Sequence, residues 1–263
     1  MIEKGNLISE GKAKSLYETQ NQNELLMVYR DDTSAFDGKK KEALKGKGEI
    51  NNKFNAHIMN YLGANGIDTH YIKTVTDNES LVHKLDMLPV ECVVRNIATG
   101  SICRRLGVEQ GLKFEDPLFE FFLKDDDLGD PLINDNHIIA FNWGTQEEIA
   151  IMKEKTLIIN KLLCQTFSDV GLILVDYKVE FGRKDGQIIL GDEFTPDGCR
   201  IWDKETGESL DKDRFRKDLG DIIEAYQEVA RRLGILHEQS NIRPIRSEEH
   251  TSELQSPMYL VCR

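Results

Sequence analysis

Apolar residues in the first ninety positions follow the two-residue repeat of strands. "NLISEGKAKSLYET" and "ELLMVYRDD" read as paired strands joined by the polar "QNQN" turn, and "SLVHKLDML" reads as a further strand. One helix interrupts them. Ile50, Phe54, Ile58, Tyr61 and Leu62 recur at helical spacing, and Gly66 suits the exit turn. "PVECVVRN" opens a second region, a strand with Val90, Cys92 and Val94 on one face and Glu91 and Arg95 on the other. Thr145 and Glu148 form a capping box for a helix running toward Gly171. Asp211 is placed to cap a later helix carrying Ile222, Ile223, Tyr226, Val229 and Leu233. In "ILVDYKVEFG", residues 173–182, alternation puts Val175, Tyr177, Val179 and Phe181 on one face and Asp176, Lys178 and Glu180 on the other. Core-like residues thus lead into a row of minus, plus and minus.

No internal repeat or low-complexity linker divides the chain. The pattern predicts a β-rich N-terminal lobe over residues 1–87 and a larger α/β lobe over 88–240, a two-lobed α+β or α/β architecture with ligands in the cleft. Residues 246–263, "RSEEHTSELQSPMYLVCR", lack either periodicity, and "RSEEHTSELQS" resembles a translated sequencing adapter. They are expected to be a non-native tail, dispensable for folding and activity.

The 263 residues supply ample material for a core. Five scattered cysteines without a C-x-x-C pair argue against a disulfide framework or zinc site and for a reduced, cytoplasmic protein. No apolar run is long enough to span a bilayer, and no N-terminal signal pattern is present. The net charge of −12 argues against nucleic acid as a partner, so any anionic ligand must be met by local cations. "DGKKKEALKGKGE" offers such a patch, or is simply a solvated loop.

Candidate chemistry gathers in three places. "VECVVRNIATGS" leads from the strand bearing Glu91 and Arg95 into a turn with Ser101 at an N-cap position. Arginine beside free helix N–H groups suits a phosphate, although an ordinary cap beside a surface ion pair fits the spacing equally. "EFGRKDGQIILGDEF" reads as strand, turn, strand. A two-residue loop sets Asp192 opposite Val179, whereas a bulged loop with Gly186 left-handed sets it across from Glu180. Two adjoining carboxylates suit Mg²⁺ carrying a nucleotide phosphate. The same alternation also describes a solvated strand. Four residues of strand span roughly 13 Å, so Asp176 and Glu180 cannot share one ion. Third, Lys12 and Lys14 share a strand face near a glycine, as a phosphate cover or as exposed edge lysines. The sequence holds no Walker loop and no G-x-G-x-x-G after a strand, and its six histidines lack ligand spacing.

Together, "GKAKSLYE", "DDTSAFDG", "KGEINNKFN", "KLDMLPVECVVRNIATGSICRRLG", "ILVDYKVEFG" and "LGDEFTPDGCRIWD" resemble the SAICAR synthetase family of purine biosynthesis, in order, over residues 1 to about 236. The resemblance implies a kinase-like β-rich lobe and an ATP-dependent ligase joining L-aspartate to the carboxylate of CAIR, a carboxylated aminoimidazole ribonucleotide, through an acyl phosphate. By position, it implies that Lys12 and Lys14 contact nucleotide phosphates and that Lys84 and Met87 flank the adenine. Glu180 and Asp192 become Mg²⁺ ligands, with Glu91 a further acidic group facing CAIR or a metal. Arg95, Ser101 and Arg200 hold the ribonucleotide. Asp37, Asp176, Lys178 and Asp197 complete the substrate cleft, with Asp176, Lys178 and Arg200 closest to the chemistry, and Lys124 and Asp130 sit on a lid loop. A homo-oligomer is expected.

Two rival classes are weighed. A kinase-like phosphotransferase to a small molecule would share the β-lobe and the metal pair, but the chain lacks "HRD" followed by "DFG". A non-catalytic nucleotide-binding module would be expected to lose a phosphate lysine, the metal pair or Arg95, and all are present.

Overall fold

A computed structural model describes residues 2–35 and 40–236 of the chain. Asp37 and the tail at 246–263 lie outside the described residues. Five strands, β1 (Leu7–Glu10), β2 (Lys14–Glu18), β3 (Glu24–Tyr29), β6 (Tyr71–Thr76) and β7 (Glu79–His83), form one sheet in the order β1-β2-β3-β7-β6. A small hairpin, β4 (Asp32–Ala35) with β5 (Lys40–Ala43), leads into helix α1 (Lys47–Ala64). Its Ile50, Phe54, Ile58 and Leu62 are buried as their spacing requires, and Gly66 follows with φ 86°.

The second sheet runs β10 (Leu132–Ile133), β9 (Lys113–Leu123), β8 (Asp86–Ile97), β11 (Leu172–Lys184), β12 (Gln187–Gly191). One edge of β11 pairs with β8; the other pairs first with β13 (Cys199–Asp203) and then with β12. All ladders in both sheets are antiparallel, so the architecture is α+β. Helices α2 (Ser101–Leu106) and α3 (Asp135–Ala140) lie in the β8–β9 and β10–β11 connections. The long α4 (Gln146–Asp169) covers one face of the second sheet, and α5 (Asp213–Arg216) and α6 (Ile222–Arg232) complete the described chain. Leu88, Val90, Cys92 and Val94 of β8 and Tyr177, Val179 and Phe181 of β11 pack with Ile149, Met152, Ile159, Leu163 and Phe167 of α4. Only one face of this sheet is therefore apolar. The other is left to the charged residues.

Several local expectations are corrected. "SLVHKLDML" is two strands, because the chain leaves the first sheet after His83 and enters the second at Asp86. The Thr145–Glu148 box forms as read, Thr145 Oγ1 accepting from Glu148 N at 3.2 Å. Asp211 does not cap the last helix; its carboxylate accepts from Ile201 N and Asp213 N, both at 2.7 Å. Left-handed Asp218, Gly220 and Asp221 then separate α5 from α6. Ser101 is the first residue of α2 and Gly100 its N-cap. Alternation along β11 is interrupted too. Leu174 pairs with Ile201 and Asp176 with Arg200, which leaves Val175 as the extra residue of a bulge. Leu172 and Leu174 enter the core before it, Tyr177, Val179 and Phe181 after it.

Candidate active site

Strand register assembles the charged face. Glu180 of β11 pairs with Glu91 of β8, Lys178 with Val93, and Asp176 with Arg95. One strand further out, Val93 pairs with Glu120 of β9, and on the other edge Asp176 pairs with Arg200 of β13. Side chains directly across a ladder sit side by side, so residues scattered over more than a hundred positions become a single surface. It has two ends.

At one end Asp176, only 4% exposed, accepts at Oδ2 from Arg95 Nη1 at 2.9 Å and from Arg200 Nη1 at 2.7 Å. Arg95 also donates Nε to Glu120 at 2.7 Å and Nη2 to Ser101 Oγ at 3.0 Å. The expected pair of Arg95 and Ser101 is thus in hydrogen-bond contact, but Arg95 turns to Glu120 and Asp176 and not to Glu91. Glu120 holds a second arginine, Arg105, at 2.6 Å, and Arg200 is steadied by Asp213 at 3.0 Å. Gly100, φ 66°, is where the backbone makes room: a Cβ there would lie 2.6 Å from Arg200 Nη2. Fixed guanidinium forks beside a serine at a helix start suit an oxyanion such as phosphate.

At the other end Lys178 Nζ donates to Glu91 at 2.7 Å and Glu180 at 2.8 Å, with Asp192 at 3.9 Å. Burial alone would lower the Lys178 pKa, but Glu180, Asp192 and Glu91 reverse that and hold it well above its ordinary value. These three carboxylates thus keep Lys178 a cation in the ligand-free site. Glu180, 3% exposed, takes a second lysine, Lys124, from the loop after β9. Lys14 pairs with Asp192 at 2.7 Å and Glu193 at 3.0 Å. Against its burial, Lys14 and Lys178 keep the Asp192 carboxyl far below the usual carboxylate range.

Asp192 arrives by the tighter of the two loops that the sequence left open. The β11–β12 hairpin takes the two-residue loop, Glu180 pairing with Gly191, with Asp185 and Gly186 at φ 51° and 78°. The bulged register is not formed, because the aspartate–glycine dipeptide matches the twist of a tight turn. By strict alternation Asp192 would leave on the wrong face. The ladder ends at Gly191, however, and Asp192 itself is left-handed, φ 55°, which turns its carboxylate back to Lys14 and Lys178.

Among the described residues no group of three or more histidine, cysteine, aspartate or glutamate side chains is close enough to cage a metal. Glu180 and Asp192 offer oxygen only, and their present counter-ions are lysines. That donor set fits Mg²⁺ that keeps water and brings phosphate ligands with it, and does not fit an all-protein metal cage.

The remaining expected residues lie around this floor. Lys12, at the turn between β1 and β2, pairs with Asp126 at 2.8 Å, joining the first sheet to the loop carrying Lys124. Asp130 closes that loop by accepting from Asp125 N at 3.0 Å. Lys84 and Met87 flank the passage between the sheets, where a Cβ on Gly182 would meet Leu85 Cβ at 2.6 Å and Met87 Sδ at 3.0 Å. Asp197 is not an open cleft residue. Its carboxylate is enclosed, accepting from Lys47 Nζ at 2.5 Å, Asn51 at 2.9 Å and Tyr226 OH at 2.8 Å, so it anchors the segment after β12 to α1 and α6.

Sequence reasoning overlooked Glu120, Glu193, Lys47 and Asn51. Lys47, Asn51 and Asn55 recur every four residues on the buried side of α1, and Glu120 interrupts the aromatic run "FEFF". A polar residue where the period demands an apolar one was the available signal.

A sequence model described as SAICAR synthetase matches residues 7–233. The phosphoribosylaminoimidazole-succinocarboxamide synthase of Alcanivorax borkumensis is 60% identical over 237 residues, covering 90% of this chain and 100% of that protein. Its counterpart from Pseudomonas putida is 58% identical over 234 residues, 89% and 99% of the two chains. Among solved structures, the Ehrlichia chaffeensis phosphoribosylaminoimidazole-succinocarboxamide synthase superposes with a TM-score of 0.86 at 39% identity, over 88% of this chain and 100% of that one. A SAICAR synthetase in complex with ADP gives 0.84 at 42% identity, over 87% and 97%.

Proposed function

The chain belongs to the SAICAR synthetase family of ATP-dependent ligases in purine biosynthesis, and from that premise we propose how its own residues divide the work. The reaction joins the amine of L-aspartate to the carboxylate of CAIR with release of ADP and phosphate. A carboxylate oxygen of CAIR takes the γ-phosphoryl group of ATP, and ADP leaves. The aspartate amine then attacks the acyl carbon; the amide bond forms, inorganic phosphate departs, and the nitrogen gives up a proton. Such chemistry depends on positioning and on neutralising charge between anions.

The observation that carries the assignment is the two-ended floor. Arg95, Ser101 and Arg200 hold the ribonucleotide phosphate, and Asp176 fixes the two arginines by binding both. Lys12 and Lys14 receive the nucleotide phosphates, with Met87 and Lys84 beside the base. Glu180 and Asp192 would hold Mg²⁺, which would supply shielding of phosphate charge, and Glu91 lies opposite Glu180 across the ladder. Lys178 and Lys124 bring two cations to the same end, where they would meet the anionic reacting groups. Asp37 joins the substrate cleft by resemblance alone.

Cys92, Cys103, Cys164 and Cys199 are free thiols, and no described helix is long and apolar enough to cross a membrane. We place the enzyme in the cytoplasm on that support. Exposed Ile139, Phe141, Leu157 and Ile158 on and beside α3 and α4 support self-association.

The test is coupled ADP release. The ligase requires CAIR and aspartate together, with SAICAR as the product by mass. A small-molecule kinase would release ADP at full rate without aspartate, which would overturn the assignment.

A further inference from the structure

Lys212 follows β13 and precedes α5, and its side chain is nine-tenths enclosed, with 8% of the residue exposed. Its ammonium has no hydrogen bond or ion pair among the described residues. The ammonium itself is not fully sealed from solvent. A buried lysine is ordinarily tied to a carboxylate, because removing the ammonium from water costs several kcal/mol.

Asp197 and Glu193, whose charges act on Lys212, and the nearby Asp213 already hold other cations. Asp197 belongs to Lys47 at 2.5 Å, Glu193 to Lys14 at 3.0 Å, and Asp213 to Arg216 at 2.5 Å and Arg200 at 3.0 Å. Burial pushes the Lys212 pKa down, attraction from Asp197 opposes this, and Arg216 and Lys47 lower it further. One cation is left over at a point where cations already converge. That is the arrangement of a site lacking its anion.

Its position narrows the anion. The backbone N–H of Lys212 lies 3.4 Å from Pro196 O, on the segment anchored by Asp197, and its charge is felt by Glu193 of the nucleotide end and Arg216 of the ribonucleotide end. An anion held there would lie beside the segment between β12 and β13 that carries Glu193 and Asp197. The ribonucleotide phosphate and the nucleotide phosphates have their own cations. The third substrate is a dicarboxylate whose amine must reach a carbon between those ends.

We infer that Lys212 binds a carboxylate of the amino-acid substrate. This rests on the ligase assignment above. Lys212 is then a binding residue for aspartate alone, and its unpaired charge is retained in the free enzyme at a cost to stability.

The experiment compares wild type with Lys212→Met, measuring KM for ATP, CAIR and aspartate and the melting temperature. Loss of one charge-assisted contact should raise the aspartate KM by about 10- to 100-fold. The other two KM values should stay within about twofold, and Tm should hold or rise, since an unpaired buried charge has been removed. Lys212→Arg should restore part of the aspartate affinity. Succinate, a dicarboxylate without the amine, should compete with aspartate in the wild type and lose that competition in Lys212→Met by a similar factor. If the methionine variant does not fold, Lys212→Gln provides the same comparison. An unchanged aspartate KM, or three KM values rising together with a fallen Tm, overturns the inference and makes Lys212 a structural counter-charge. Wild-type ADP release that needs no aspartate would instead sink the ligase assignment.

Discussion

Replacing Arg95 by lysine keeps the charge and removes the fork. The guanidinium makes three contacts in a nearly sealed site, to Glu120 at 2.7 Å, Asp176 at 2.9 Å and Ser101 at 3.0 Å. A lysine ammonium reaching from the same backbone can satisfy one carboxylate. The variant loses one charged hydrogen bond, about 1.5–3 kcal/mol, and one to a neutral hydroxyl, about 0.5–1.5 kcal/mol. Neither abandoned carboxylate is left bare, because Glu120 keeps Arg105 at 2.6 Å and Asp176 keeps Arg200 at 2.7 Å. The cost therefore stays near the sum, about 2–4 kcal/mol, below the penalty for stripping a buried charge of its only partner. For a chain of this size that lowers Tm by roughly 5–15 °C. Assayed well below the new midpoint, the CAIR KM should rise at least about tenfold, while KM for ATP and aspartate change by less than about twofold. The measurement is three saturation curves beside one thermal scan. KM values rising in parallel, or a CAIR KM unchanged despite the fall in Tm, would show that Arg95 is only a structural brace.

Gly182→Ala should force the passage between the sheets apart, since its Cβ would stand 2.6 Å from Leu85 Cβ; about 1–3 kcal/mol of stability should be lost and the ATP KM raised, with CAIR saturation normal. Acid titration should expose two opposed groups. Burial lowers the His70 pKa to about 4, so its stabilisation is lost as pH falls from 6.5 toward 4. Burial raises the Asp211 pKa to about 6, so its contribution is lost as pH rises from 3.8 through 6. The two largely cancel in the wild type, whereas the Tm of His70→Gln should fall with rising pH across pH 4–6; a variant whose Tm tracks the wild type across that range would refute this role of His70.

How much of this was readable varied with the physics involved. Periodicity located α1 and the apolar side of β11, because each buries a continuous stripe against one neighbour, and a capping box located α4. It also singled out Asp176, Lys178 and Glu180. It missed the bulge at Val175, since one extra residue leaves no compositional mark when its neighbours are equally apolar. The hairpin register was open in the sequence because both loops use Asp185 and Gly186 well; the outcome was decided by the twist of the strands, and the position of Asp192 by a single left-handed residue. Asp211 was misjudged because capping was considered along the chain, while its carboxylate turns back to a strand backbone at Ile201. Glu120 and Lys47 were passed over for a related reason: each breaks an apolar pattern, but its partner, Arg95 or Asp197, is brought close only by the fold.

The division of the floor is tested most directly by binding two ligands to two variants calorimetrically: ADP with Mg²⁺, and CAIR, to Glu180→Gln and Asp176→Asn. The two positions are separated by roughly 13 Å of strand, so the effects should cross. Glu180→Gln should weaken ADP binding and abolish its dependence on Mg²⁺ while leaving CAIR affinity within about twofold, since a lost charge-assisted contact accounts for tenfold or more. Asp176→Asn, which frees the Arg95 and Arg200 forks from their shared anchor, should weaken CAIR and leave ADP with Mg²⁺ unchanged. Both ligands weakening equally in both variants, or Mg²⁺-dependent ADP binding surviving in Glu180→Gln, would contradict a floor with a metal end and a ribonucleotide end.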